Sequence, residues 1–198
     1  MLLYLYPGAC SIADHIALIE TGLPYKLIAI DRDKRTQDGR DYLTINPRGF
    51  IPSLQLEDGT ILTENLAILA YIADRSGALL PEGELGRWRA LEALSYMATT
   101  IHGGLTPFFK NKSDMEKDEA RKALAKAFGF LDDQMGAQPF LLGQTMSIAD
   151  PYLFWALLWT AQFGLPVPER LRAFFDRMNQ EPSVIRALAE EGLSPPKG

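Results

Sequence analysis

The chain holds a single cysteine, Cys10, in 198 residues, so an internal disulfide is excluded. Its two histidines, His15 and His102, are too few for a metal cluster, and no metal is expected. Runs of about 18 apolar residues are missing, which excludes a membrane-spanning helix. Positive charge is also short: 20 Lys and Arg stand against 25 Asp and Glu, a formal net charge of -5. That balance argues against a nucleic-acid or anionic-membrane surface, while leaving room for a local basic pocket. The opening MLLYLYPGAC has no basic n-region and reads as a strand rather than a signal peptide, so a cytoplasmic location is expected. What is present, 47% apolar and 23% charged residues, is the composition of a soluble globule with one large domain or two small ones.

The most informative stretch is Leu2 to Gly22. A short alternating run with Leu3 and Leu5 ends at Pro7-Gly8, and a helix follows whose start carries Ser11 and Asp14 at capping-box spacing. Cys10 therefore falls at a helix mouth. Free backbone amides and the positive end of the helix dipole favour an anion there, either a thiolate at Cys10 or the thiol group of a ligand. The plainer alternative is an inert, half-buried hydrophobe.

After Gly22-Leu23-Pro24, Tyr25 to Asp31 alternates as a second strand, completing a βαβ unit with parallel strands. Residues 32 to 48 hold five cations (Arg32, Lys34, Arg35, Arg40, Arg48) against three carboxylates, a solvated loop or an anion site. Asn46-Pro47-Arg48-Gly49 is turn chemistry, and Pro52 belongs at the entrance of a third strand, where spacing alone gives a trans bond. Asp58-Gly59 turns a hairpin, and Thr63-Glu64-Asn65 opens a helix with Leu66, Leu69 and Ile72 on one face.

The remainder is helical. Leu91, Leu94, Ala98, Ile101 and Leu105 form one stripe, running up to Pro107. Ser113 and Glu116 make a second capping box, and Ser147 and Asp150 a third. The helix from Tyr152 to Phe163 is apolar nearly all round and should be buried, with Asp150 as a cap rather than an acid catalyst. The organisation expected is residues 1–76 as an α/β domain (βαβ then ββα), 77–86 as a linker, and 87–198 as an all-α domain.

Taken together, YPGACSIADHIALIETG, INPRGFIPSLQLEDGTILTENLAI and MSIADPYLF resemble the cytosolic glutathione transferases, most closely the bacterial beta class. The similarity covers essentially the full length, including RMNQEPSVIRALAEEGL. The resemblance implies a thioredoxin-like glutathione domain, a helical domain lining an electrophile pocket, a homodimer, and glutathione as co-substrate. It assigns Cys10 to the cysteine beside the glutathione sulfur and Ile51 to the residue pairing by its backbone with the cysteinyl part. It makes Pro52 cis, overriding the trans default. Glu64 and Asn65 match the pair holding the γ-glutamyl end, and Arg35 the cation at the glycyl end. His102 matches a histidine near the thiol; Ser95 and Thr99 match positions reaching the neighbouring subunit's glutathione or the pocket.

Three residues depart from the family pattern: Gly103 where relatives often have lysine, Ser95 for asparagine, and Phe50 for glutamine. Phe50 is either a key inserted into the partner subunit or a ring packed on its own domain. His15 reads as a core histidine with a hydrogen-bond partner, and Tyr4 and Tyr6 as packing. The function expected is conjugation of glutathione thiolate to apolar electrophiles. The rivals are a glutathione-dependent thiol-disulfide reductase using Cys10 and a non-catalytic binder of hydrophobic ligands.

Overall fold

The computed structural model describes residues 1–194, so residues 195–198 of the expected helical domain lie outside the described residues. The chain divides into two compact units, Met1–Ala78 joined by the segment beginning at Pro182, and Leu79–Glu181.

In the first unit, strands β1 (Leu2–Leu5), β2 (Lys26–Ala29), β3 (Ser53–Gln55) and β4 (Ile61–Thr63) form one sheet in the order β2-β1-β3-β4. β1 runs parallel to β2 and antiparallel to β3, and β3 pairs antiparallel with β4. The βαβ crossover is helix α1 (Ile12–Thr21), and α2 (Asn65–Ser76) closes the ββα half. This is the expected thioredoxin-like arrangement. Alternation along β1 separates its two faces: Leu3 and Leu5 are fully or nearly fully buried, while Tyr4 packs with Ile30 and Tyr42 in a second cluster. The Asp58-Gly59 hairpin forms, closed by the Leu56 amide on the Thr60 carbonyl at 2.8 Å.

Two expectations need correction here. Ser11 and Asp14 do not make a capping box. Ser11 already has helical dihedrals, its hydroxyl faces the Tyr6 carbonyl at 3.5 Å, and helical bonding starts earlier, with the Ile12 amide on the Ala9 carbonyl. Asp14 is instead drawn to Asn65 at the start of α2. The last helix, α8 (Pro182–Glu190), expected with the helical domain, belongs to the first unit because it packs on α1.

The second unit contains α3 (Gly86–Tyr96), α4 (Gly103–Phe109), α5 (Asp114–Met135), α6 (Ala149–Gln162) and α7 (Glu169–Met178). Between α3 and α4 the chain does not break; Met97–His102 is a π-helical segment. Along this stretch Met97, rather than Ala98, is buried with Leu94, Ile101 and Leu105. The Ser113–Glu116 box caps α5 as expected. α6 is buried from Ala149 through Leu158, which matches its apolar circumference. Asp150 anchors its start by accepting from the Leu141 amide (2.8 Å), the Ser147 amide (2.7 Å) and the Ser147 hydroxyl (2.8 Å). Among the described residues no helix is long and apolar enough to cross a membrane.

Candidate active site

Cys10 ends the Tyr6–Cys10 turn and faces the backbone entering β3. Its Sγ lies 3.8 Å from the Ile51 carbonyl, and the Ile51–Pro52 peptide bond is cis. That backbone is fixed from below by a polar node. The Tyr42 hydroxyl donates to the Phe50 carbonyl at 2.7 Å and bonds Ser53 Oγ at 2.7 Å, while Asn46 Nδ2 reaches the same carbonyl at 2.8 Å. Two hydrogen bonds to one carbonyl hold Phe50-Ile51 in place beside the thiol. Sequence reasoning missed both supports, since Tyr42 looked like loop and Asn46 like a turn residue.

Asn65 brings the two helix mouths together. Its side-chain amide donates to the Cys10 carbonyl at 2.8 Å and to Asp14 Oδ2 at 3.1 Å. Asp14 is fully buried, and burial holds its carboxyl well above the usual range, reinforced by the nearby Glu191. The residue before Asn65, Glu64, has φ of 72° and ψ of 123°, a conformation that L residues rarely adopt and that is maintained only where the surroundings enforce it. Its exposed carboxylate pairs with Arg48 at 3.0 Å.

The electrostatics of Cys10 overturn one expectation. The amides of Cys10 and Ser11 do favour the thiolate, but burial outweighs them, with Asp14 adding to it, and pushes the thiol up to about 12. Cys10 is thus a neutral S–H donor at physiological pH. Tyr4 is packing as expected, buried with its hydroxyl on Gln55 Oε1 at 2.9 Å; Tyr6, also expected to pack, is only half-buried, and its hydroxyl accepts from Arg32 Nε at 3.3 Å.

Of the expected glutathione contacts, Cys10, Ile51, Pro52, Glu64 and Asn65 thus lie on three neighbouring segments of one unit. Arg35 is held differently. Its amide donates to Asp31 Oδ1 at 2.8 Å and its carbonyl accepts from the Asp31 amide at 2.9 Å, which fixes a tight loop and leaves the residue exposed.

Ser95, Thr99 and His102 belong to the second unit, on α3 and the π-helical segment. Thr99 Oγ1 donates to the Ser95 carbonyl at 3.0 Å, and both residues are exposed. His102 Nδ1 shares a hydrogen bond of 2.9 Å with the Tyr152 hydroxyl, and its ring lies 4.4 Å from the Trp155 ring. Burial lowers the His102 pKa, so its imidazole is neutral at pH 7. Phe108, Phe109, Trp159 and Phe163 stack nearby into an aromatic wall of this unit. A side chain at Gly103 would meet nothing within 4 Å, so packing does not demand glycine there.

Residues 10–75 match the family model for the glutathione S-transferase N-terminal domain and residues 96–182 that for the C-terminal domain. Glutathione S-transferase GstA of Escherichia coli O157:H7 is 39% identical, covering 98% of this chain and 100% of that protein. A sphingomonad glutathione S-transferase solved in complex with glutathione is 40% identical over 98% of this chain and 100% of its own, with a TM-score of 0.90. The bacterial beta class glutathione S-transferase of Sphingomonas chungbukensis is 39% identical with a TM-score of 0.89, again over 98% and 100%. The chain belongs to the glutathione S-transferase family. Within it, the likeness is to the bacterial beta class.

Proposed function

We propose that this protein conjugates the thiolate of glutathione to apolar electrophiles. The observation that carries this reading is the Asn65 bridge between two helix mouths, set beside the neutral Cys10 thiol and the Ile51 backbone. A tripeptide laid along Ile51 pairs with the main chain as an added strand would, with little demand on the Ile51 side chain. The α2 mouth offers amides to the γ-glutamyl carboxylate, and Glu64 exchanges Arg48 for the ammonium group. Arg35 serves the glycyl carboxylate. The glutathione sulfur then lies next to Cys10, whose S–H donates toward it and favours its thiolate. A shift of one to two units in the bound thiol corresponds to about 1.4–2.7 kcal/mol and enriches the nucleophile severalfold to tenfold or more at neutral pH. Proximity and preorganised donors supply the rest of the acceleration. His102 contributes a neutral imidazole, and Thr99 and Ser95 line the pocket or meet the neighbouring subunit's glutathione.

A homodimer is part of this proposal. Phe50 supports it, since its ring is 73% exposed instead of packed on its own domain, as a residue inserted into a partner requires. A cytoplasmic location is proposed as well, consistent with a lone unpaired cysteine. The reductase reading needs Cys10 itself as a thiolate, which a pKa of about 12 disfavours. A pure binder of apolar ligands has no use for the polar set around Cys10.

The test is a panel of haloaromatics, epoxides and mixed disulfides with glutathione, run on wild type and Cys10→Ala. Conjugation retained by Cys10→Ala makes glutathione the nucleophile. Conjugation absent in both, together with glutathione binding weaker than millimolar by calorimetry, overturns the assignment.

A further inference from the structure

The Tyr6–Cys10 turn is clamped at both ends, and only one clamp lies in the site described above. The Cys10 end is held by Asn65 on α2. At the other end Gly8 sits with φ of 75°, the Ala9 amide closes the turn onto the Tyr6 carbonyl at 2.9 Å, and the Gly8 amide donates to Glu191 Oε2 at 2.9 Å. Glu191 follows directly on α8, 183 residues away in sequence, and is 8% exposed. A buried carboxylate is costly unless its oxygens are satisfied. Here the second oxygen, Oε1, meets His15 Nδ1 at 3.0 Å, and His15 Nε2 meets Glu190 Oε2 at 2.9 Å. Glu190 is fixed in turn by the Tyr25 hydroxyl at 2.8 Å and Arg186 Nε at 2.7 Å. Such a chain specifies one geometry, since every link depends on the next.

We infer that Glu191 is a positioning residue of the thiol site: by holding the Gly8 amide, and being held by His15, it sets where the turn delivers Cys10 against Ile51. It touches no reacting atom. Its effect runs through the backbone, over the single residue, Ala9, between Gly8 and Cys10. Without it a buried amide loses its acceptor, and the turn is free to shift toward water.

Because Cys10 is the only cysteine, its alkylation by iodoacetamide reports on the turn directly and needs no enzymatic activity. In Glu191→Ala, measured well below the melting temperature, the alkylation rate should rise about tenfold as the thiol becomes hydrated. Glu191→Gln keeps an oxygen acceptor for Gly8 and should stay within about twofold of wild type. A Glu191→Ala protein that is folded and alkylates at the wild-type rate overturns the inference. Under the transferase reading on which this arm rests, glutathione KM should rise about threefold to tenfold in Glu191→Ala with kcat changed less, because positioning acts on binding. Loss of that arm alone, with the alkylation change intact, would count against the transferase reading and not against the clamp. Should Glu191→Ala fail to fold, hydrogen exchange on wild type decides: the Gly8 amide should open together with the α8 amides of Ala187 and Leu188. A Gly8 amide exchanging at the rate of an open loop overturns the clamp.

Discussion

Asn65 Nδ2 lies 2.8 Å from the carbonyl oxygen of Cys10 and 3.1 Å from Asp14 Oδ2, so one amide group ties the mouth of α2 to the first turn of α1. Both acceptors are buried, and neither Asp14 Oδ1 nor Asn65 Oδ1 has a partner among the described residues. Asn65→Ala should therefore remove two bonds and strand a buried carboxyl, lowering stability by about 1–3 kcal/mol. Urea unfolding with an unchanged m-value would read this out. A change below about 0.5 kcal/mol would show that water replaces the amide.

Cys10 should be a slow thiol. A rise from its ordinary 9.0 to about 12 lowers the thiolate fraction by three decades. The greater nucleophilicity of the more basic sulfur recovers part of that, leaving reaction with a small alkylating agent about 30- to 50-fold slower than for free cysteine at pH 7.5. The rate should still be climbing above pH 9. A plateau below pH 8 would mean that the α1 amides outweigh burial.

His102 should make the protein less tolerant of mild acid. Its folded pKa is depressed by burial while the unfolded chain titrates near 6.5, so the unfolded state binds the proton more readily. The stability this histidine contributes is present above pH 6.5 and is lost as pH falls through its folded value. Between pH 7.5 and 5.5, wild type should lose more unfolding free energy than His102→Gln. Equal losses would place the acid sensitivity elsewhere.

Gly86 opens α3 with ordinary dihedrals, yet it has no room for a side chain. A Cβ there would lie 1.8 Å from the Pro81 carbonyl oxygen, which is backbone and cannot rotate away. Gly86→Ala should cost about 3 kcal/mol or more, through displacement of the loop or of the helix start. Gly103→Ala, open on all sides, is the matched control and should be neutral or slightly stabilising by helix propensity. Thermal melts of the two variants separate crowding from propensity.

Patterns with a local cause were readable in the amino-acid sequence. Alternation gave β1 and β2, Asp58-Gly59 gave the hairpin, and the Ser113–Glu116 box gave a helix start. At Ser147–Asp150 the Asp150 carboxylate takes the Ser147 amide and hydroxyl, but α6 is capped at Ile148 without a side-chain bond. The same rule failed at Ser11–Asp14 because a partner 51 residues away, Asn65, takes the carboxylate that local spacing assigns to capping. Family resemblance made Pro52 cis where spacing alone would have left it trans, and the bond is cis. The dipole argument at Cys10 had the right sign, but burial, a tertiary quantity, is the larger effect. His15 was recognisable as a core histidine with a partner, whereas the partners Glu190 and Glu191 could not be found without the fold. Neither the π-helical turn nor the Tyr42–Asn46 node has a signature in composition or period.

The acceptor for the Gly8 amide is synthesised 183 residues after its donor. A chain still emerging from the ribosome therefore has its cysteine, its first helix and its cis-proline strand long before the turn between them is fully secured. The helical unit is synthesised before α8, and α8 then finishes the first one. Completion of the thiol site is thereby a late event in the protein's biogenesis, and chains cut short before Glu191 would carry every residue named for glutathione yet lack the bond that fixes Gly8.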